Sequence, residues 1–336
     1  MGRYVEALLA ETERRIKETA YTVPSVYIGG GTPSLLGAKG ITRLLKGITA
    51  LTGAGHREIT VEANPETADE YFLRSCAGHG VTRLSLGVQS FDEGERKAAG
   101  RRGCPQDVLL RRLSKAAEIF GPFLSLDLMS GLPGQDEDML LRNIGKAIFF
   151  GAGHISLYAL TPAIPPVETS DRLWLTGRDA LKNAGYEHYE VSSFALGNVY
   201  RCVHNIRYWS MQNWIGTGPS ASGTIIDHNG TGRRISYAPD TKVFVSAVKN
   251  RIIPPLTIEE LDRKTVLKET ILMGYRCREG PDHALFFRRF GKSIQETIPQ
   301  TLLKWQNRAG DVPMHEKIMN YLNAFLLDAY SELDNS

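Results

Sequence analysis

Three consecutive glycines, Gly29, Gly30 and Gly31, followed by Thr32 and Pro33, stand between a short β-type run and a helical one. Lacking Cβ atoms, such a run lets the backbone come within hydrogen-bonding distance of a ligand. It has neither the spacing of a dinucleotide fingerprint nor the lysine of a phosphate-cradling loop. By residue type alone, an ordinary glycine-rich turn is an equal alternative. Glu62, Gln89 and Asp127 stand at or near the ends of further β-type runs. Taken alone, the two carboxylates are structural acceptors for backbone donors, and a rival chemistry makes them the acid and base of a barrel hydrolase. Farther along, the segment from Cys202 through His204 to Tyr208 and Trp209 sets an imidazole between a thiol and two adjacent aromatics. The bland reading there is a buried histidine bonded to a carbonyl beneath core rings, with Cys202 a small core residue.

These groups need elements to hold them. From residue 25 to about 195 the chain repeats a β-type run, a polar turn and a helical pattern, which predicts βα winding. The runs are Ser25–Gly29, Glu58–Ala63, Arg83–Gln89, Phe123–Met129, His154–Leu160 and Tyr186–Ser192, predicting six parallel strands. Alternate residues of a strand face opposite sides. One parity is apolar, as in Leu84, Leu86 and Val88 or Leu124, Leu126 and Leu128; the other carries Thr60, Glu62, Ser85, Gly87, Gln89, Ser125, Asp127, Ser156 and Tyr158. A flat sheet covered on both faces would be apolar on both. A barrel with helices outside and a polar interior accounts for the difference, and βα barrels put their sites at the C-terminal mouth. Glu62, Gln89 and Asp127 are therefore expected to converge.

A Gly/Arg-rich stretch after Gly230 and then Pro239 mark a change of composition, and the remainder has apolar residues at three- and four-residue intervals. The expected organisation is α/β: an incomplete parallel βα barrel over residues 1–235 and a small, mainly helical domain over residues 240–336. Net charge is +3 from 40 basic and 37 acidic residues, too balanced to imply nucleic acid. No apolar run approaches the roughly 20 residues that span a bilayer, and MGRYVEALLAETERR lacks the apolar core of a signal peptide. A cytoplasmic protein is expected. Cys76, Cys104, Cys202 and Cys277 have no metal-binding or disulfide-framework spacing.

Four segments in order, VYIGGGTPSLL (26–36), ITVEANPET (59–67), RLSLGVQSF (83–91) and LDLMSGLPGQ (126–135), resemble the strand-end motifs of the radical S-adenosylmethionine (SAM) family of coproporphyrinogen dehydrogenase-like proteins. The resemblance implies Gly30, Gly31, Thr32, Glu62, Gln89, Arg101 and Asp127 as SAM contacts. The chemistry is consistent: SAM's amino group and ribose hydroxyls need acceptors, which Glu62 and Asp127 supply, and its carboxylate suits Arg101. The CxHNxxYW segment resembles the heme chaperone branch and implies heme binding, with His204 a candidate axial ligand, Tyr208 and Trp209 covering a porphyrin face, and Cys202 beside them. WIGTGPSASG (214–223) continues the resemblance, with Ser222 where relatives commonly carry histidine.

Family members open with a strand ending in CxxxCxxC that binds a 4Fe–4S cluster; that motif is absent from these 336 residues, and Tyr4–Glu13 is similar to the segment just downstream of it. The resemblance thus implies SAM, heme and a 4Fe–4S cluster whose ligands are not in this sequence, so enzymatic activity is left open. The leading expectation is a heme chaperone that delivers heme to acceptor proteins, with a homodimer as a candidate assembly. The alternatives are an oxygen-independent coproporphyrinogen III oxidase and a barrel hydrolase using Glu62 and Asp127.

Overall fold

Apolar residues on one parity of the early strands need a cover, and the intervening segments supply it as helices with matching apolar stripes. The structure, a computed structural model, describes residues 2–19, 22–100, 104–160, 167–310 and 312–335. After helix α1 (Gly2–Thr19), the winding runs β1 (Ser25–Ile28), α2 (Gly37–Thr52), β2 (Glu58–Ala63), α3 (Glu70–Gly78), β3 (Arg83–Gln89), α4 (Glu93–Ala98), α5 (Gln106–Phe120), β4 (Leu124–Ser130), α6 (Glu137–Phe149), β5 (His154–Ala159) and α7 (Val167–Asn183). Strands β1 to β5 are neighbours in chain order and pair in parallel, so β1 is an edge strand. This is the incomplete βα barrel the alternation predicts, a half-barrel with helices on its outer face.

The sixth strand differs from expectation. The Tyr186–Ser192 run yields only β6 (Glu187–Glu190); two residues later β7 (Ser193–Ala195) turns back and pairs antiparallel with β5. A two-residue connection joins antiparallel neighbours, whereas parallel ones need a crossover of a dozen residues or more.

The core lies between the sheet and its helices. Leu84, Leu86, Leu124, Leu126, Ile155 and Leu157 are fully buried against residues such as Ile41, Leu45, Leu113 and Ile144. Burying such a side chain contributes about 1.5–3 kcal/mol, and Leu126→Ala would cost about 2–5 kcal/mol. The helices that follow β2, β3 and β4 begin on aspartates: Asp69, Asp92 and Asp136 accept from the N–H groups of Phe72, Glu95 and Met139 at 2.8, 2.9 and 2.7 Å. Each cap satisfies an orphan donor and is worth about 1 kcal/mol, which fixes where the strand-end loops stop.

By compactness the chain divides into one unit of Met1–Leu9, Ala20–His188 and Ser192–His204 and another of Ala10–Thr19, Tyr189–Val191 and Asn205–Ser336. Residues 205–235, which the composition grouped with the barrel, lie in the second unit. That unit holds a three-stranded antiparallel sheet of β8 (Ser222–Ile226), β9 (Gly232–Tyr237) and β10 (Leu256–Leu261), a feature the helical periodicity did not predict. Helices from Thr241–Lys249 to Leu322–Asp334 make up the rest, around a core that includes Ile271, Phe286 and Phe325. No helix among the described residues is long and apolar enough to cross a membrane.

Candidate functional site

The polar parity of the half-barrel forms two layers. At the C-terminal strand ends, Glu62 pairs in register with Ser85, and the Ser85 hydroxyl donates to the Asp127 carboxylate at 2.9 Å. Asp127 stands opposite Ser156 and bonds that hydroxyl as well. Burial pushes the Asp127 carboxyl up to about 6; the Ser156 and Ser85 hydroxyls pull the other way, and the nearby Glu62 charge adds to the rise. Glu62 accepts from the Tyr27 hydroxyl at 2.6 Å and from the Gly30 N–H at 3.1 Å.

The glycines explain themselves here. A Cβ on Gly29 would lie 2.6 Å from both the Glu62 carboxyl carbon and the Tyr27 ring. Gly30 has a φ of +79°, and no other atom lies within 4 Å of where a Cβ would sit on Gly30 or Gly31, so open space faces this backbone. Thr32 follows, half-buried, and its carbonyl accepts from the Leu35 N–H at 2.9 Å. The Ser34 hydroxyl ties this loop to the next one, meeting the Thr67 hydroxyl at 2.6 Å and the Asn64 N–H at 3.1 Å.

Gln89 reaches the site through a β-bulge. The register of β3 against β4 shifts between Gly87 and Gln89, and Gln89 has a φ of +66°, uncommon outside glycine. Bulges re-aim side chains beside sites. Here the Gln89 amide folds back to within 3.3 Å of where a Gly87 Cβ would be. Gln135 holds the loop after β4: its Oε1 accepts from the Gly131 N–H at 2.8 Å and its Nε2 donates to the buried Glu95 at 2.8 Å. Arg101 lies outside the described residues.

The second layer, at the N-terminal strand ends, went unread in the sequence. Glu58 and Arg83 form a buried ion pair at 2.9 Å, and the Ser125 hydroxyl shares a 2.7 Å hydrogen bond with His154 Nδ1. Burial, with Arg83 nearby, holds the His154 imidazole well below its ordinary value and keeps it neutral. Glu58 also accepts from the Cys202 thiol at 3.3 Å and from the Val203 and His204 N–H groups at 3.1 and 2.9 Å. A carboxylate so placed satisfies the N-terminus of α8 (Val203–Trp209). Arg83 meanwhile donates to the Tyr200 and Arg201 carbonyls at 2.8 and 3.0 Å. The signal was available: Glu58, Arg83 and His154 are charged or titratable residues that open their strands on the polar parity.

The four heme candidates divide between the units. In the first, Cys202 is buried with its thiol on Glu58, and the half-buried His204 ring stacks on Tyr27 with centroids 4.7 Å apart. In the second, Tyr208 is 37 % exposed and meets Trp209 and Trp214 edge-on, while the Arg276 guanidinium lies 5.1 Å from the Trp209 centroid.

The open glycine backbone, two carboxylates and a re-aimed amide fit a ligand carrying an amine and hydroxyls, as SAM does. The thiols do not fit an iron–sulfur cluster. Cys76, Cys104, Cys202 and Cys277 are all buried, in separate elements, and among the described residues no three His, Cys, Asp or Glu side chains converge as a metal site.

Residues 1–147 match the Radical SAM superfamily and residues 261–320 the HemN C-terminal domain. Heme chaperone HemW of Lactococcus lactis is 30% identical across 97% of this chain and 89% of its own. The mitochondrial radical S-adenosyl methionine domain-containing protein 1 of Mus musculus is 35% identical across 84% of this chain and 70% of its own. Heme chaperone HemW of Escherichia coli is 38% identical across 66% of this chain, and the match spans 62% of that relative, less than two thirds of its length. The structure of coproporphyrinogen III oxidase (HemN) from Escherichia coli superposes on 98% of this chain and 82% of its own with a TM-score of 0.77 at 18% identity, a likeness of fold.

Fold and matched segments together define a radical SAM protein. Within that superfamily the chain belongs to the HemW-like heme chaperone family.

Proposed function

We propose that this chain binds SAM at the C-terminal mouth of the half-barrel, binds heme through the Cys202–Trp209 segment, and delivers heme to acceptor proteins in the cytoplasm, as a monomer or homodimer. The observation that carries the reading is the Tyr27 contact pair: its hydroxyl lies on Glu62 and its ring on His204. Gly30, Gly31 and Thr32 supply the approachable backbone, Glu62 and Asp127 the acceptors, Gln89 an amide, and Arg101 a partner for the ligand carboxylate. His204 serves as the axial ligand, and Tyr208 and Trp209 are the aromatic residues of the same sequence segment suited to a porphyrin face. Cys202 acts in support, since its thiol is engaged by Glu58. SAM, where a cluster reduces it, supplies a carbon radical; with no thiolate cage among these residues, no such step is assigned to this chain, and the reading is one of binding and transfer.

The test is a heme titration of the 336-residue chain, read at the Soret band, followed by transfer to an apo-globin. Saturable binding that weakens in His204→Ala, with transfer faster than heme release into buffer, is expected. Absence of a Soret change, or turnover of coproporphyrinogen III instead, would overturn it. Hydrolysis of glycosides or esters with neither cofactor would point to the carboxylates as an acid–base pair.

A further inference from the structure

Tyr27 belongs to neither candidate ligand set, yet it touches both. Its hydroxyl donates to Glu62 Oε1 at 2.6 Å, and the other Glu62 oxygen is held by the Gly30 N–H at 3.1 Å. The carboxylate therefore cannot turn toward an incoming cation without loosening one of the two bonds. On its other side the Tyr27 ring stacks on the His204 imidazole, centroids 4.7 Å apart and planes 27° apart. His204 has little freedom elsewhere in its backbone, because its N–H is bonded to the buried Glu58. A displacement of the phenol is thus passed to the imidazole through its side-chain torsions. Burial, reinforced by Glu62, raises the Tyr27 phenol and keeps it a donor at any ordinary pH. Gly29 admits this arrangement, since a Cβ there would strike both the Tyr27 ring and the Glu62 carboxyl.

We infer that Tyr27 is a positioning residue coupling the two sites, so that a ligand amine on Glu62 alters the affinity of His204 for heme iron and heme alters the affinity for that ligand. The inference rests on the function proposed above. Thermodynamic reciprocity requires the same factor in both directions, and couplings of this kind are typically fivefold or more.

The experiment uses the full chain and four titrations: hemin with and without saturating SAM, read at the Soret band, and SAM with and without saturating hemin, read by calorimetry. Each is repeated on Tyr27→Phe, which keeps the ring and its stack but removes the bond to Glu62, with Tm measured to verify the fold. The wild-type chain is expected to show a coupling factor of about fivefold or more, equal in both directions, and Tyr27→Phe a factor near one. Wild-type protein that binds both ligands with no mutual effect overturns the inference while leaving the proposed function standing, as does a Tyr27→Phe protein with the wild-type factor. A wild-type chain that gives no saturable Soret change removes the proposed function and the coupling together, and is recognised by that absence. As a second variant, His204→Phe keeps a ring over Tyr27 without an iron ligand; it is expected to lose the heme-dependent change in SAM affinity, and retention of that change overturns the inference.

Discussion

Glu58 and Arg83 open adjacent parallel strands, and their side chains meet at 2.9 Å with each residue only 3 % exposed. The pair also gathers the chain more than a hundred residues later, Glu58 by the Cys202 thiol and two N–H groups, Arg83 by two carbonyls. A buried ion pair is by itself weak support for a fold, because desolvation offsets the attraction. Here the remaining hydrogen-bonding capacity is used to place the start of α8, and with it His204.

Arg83→Met should therefore destabilise by about 3–5 kcal/mol, since it leaves a buried carboxylate without its counter-charge. Adding Glu58→Gln to it should restore part of that loss. Thermal unfolding of the two single variants and the double measures the coupling; simple additivity would mean the ion pair is not the anchor. For Glu58, burial pushes the carboxyl up, but Arg83 and the His204 and Val203 N–H groups outweigh it and hold it below its ordinary value. A depressed carboxylate contributes stability that is present above its unfolded value and lost as pH falls through the folded one. The wild-type chain should lose this contribution on acidification below about pH 4, the ordinary carboxylate range, and Glu58→Gln should not.

Asp127 has the opposite sign. Its carboxyl is raised to about 6, chiefly by burial, so the folded chain holds the proton more tightly than the unfolded chain and stability declines as pH rises toward 6. Above that value the site presents a carboxylate to a ligand's hydroxyls or amine. The SAM dissociation constant, measured by calorimetry between pH 5 and 8, should be flat above about 7 and rise by up to tenfold per unit below 6. Asp127→Asn should flatten the profile. An unchanged profile in that variant would remove Asp127 from the ligand.

Gly29 and Gly31 should respond differently to the same methyl group. In Gly29→Ala the new carbon meets Glu62 and Tyr27 at 2.6 Å, and forcing them aside should cost about 1–3 kcal/mol. Gly31 has nothing within 4 Å of its Cβ position, so Gly31→Ala should leave Tm unchanged while weakening SAM by intruding on the approach to the backbone. If Gly31→Ala binds SAM like the wild type, the glycine run is an ordinary turn.

What the sequence disclosed, it disclosed through alternation. β2 and β3 begin and end where the pattern places them, at Glu58–Ala63 and Arg83–Gln89, because an apolar outer parity and a polar inner one leave a period-two trace. Glu62 and Asp127 were legible as carboxylates on that inner parity. The bulge that turns Gln89 inward was not, since a left-handed glutamine has no sequence signature. Nor was the return of β7, whose three residues, Ser193–Ala195, are too few to show a period. Glu58 and Arg83 carried no such trace, since the partners that engage them, residues 200–204, lie more than a hundred residues away in the sequence.

The last expectation concerns iron. The 336 residues should not assemble a 4Fe–4S cluster, even if they bind SAM as proposed. A cluster needs several thiolates in one small cage, and these four thiols are buried in separate parts of the sequence. Cys76 is buried in α3, where burial pushes its thiol up to about 12, and burial raises Cys104 as well, despite Arg96 nearby. Cys202 donates to Glu58, and Cys277 lies in the second unit. Thiolates are the metal ligands, so the sites of Cys76 and Cys104 disfavour the form that binds iron. Anaerobic reconstitution with iron and sulfide should leave no stoichiometric absorbance near about 400 nm, where thiolate-to-iron charge transfer falls, and no 5′-deoxyadenosine from SAM under reduction. SAM binding itself should persist in the same sample. A one-to-one cluster with SAM cleavage would mean that the buried thiols rearrange on binding iron, whereas a chain extended upstream by a CxxxCxxC segment should acquire both properties without disturbing them.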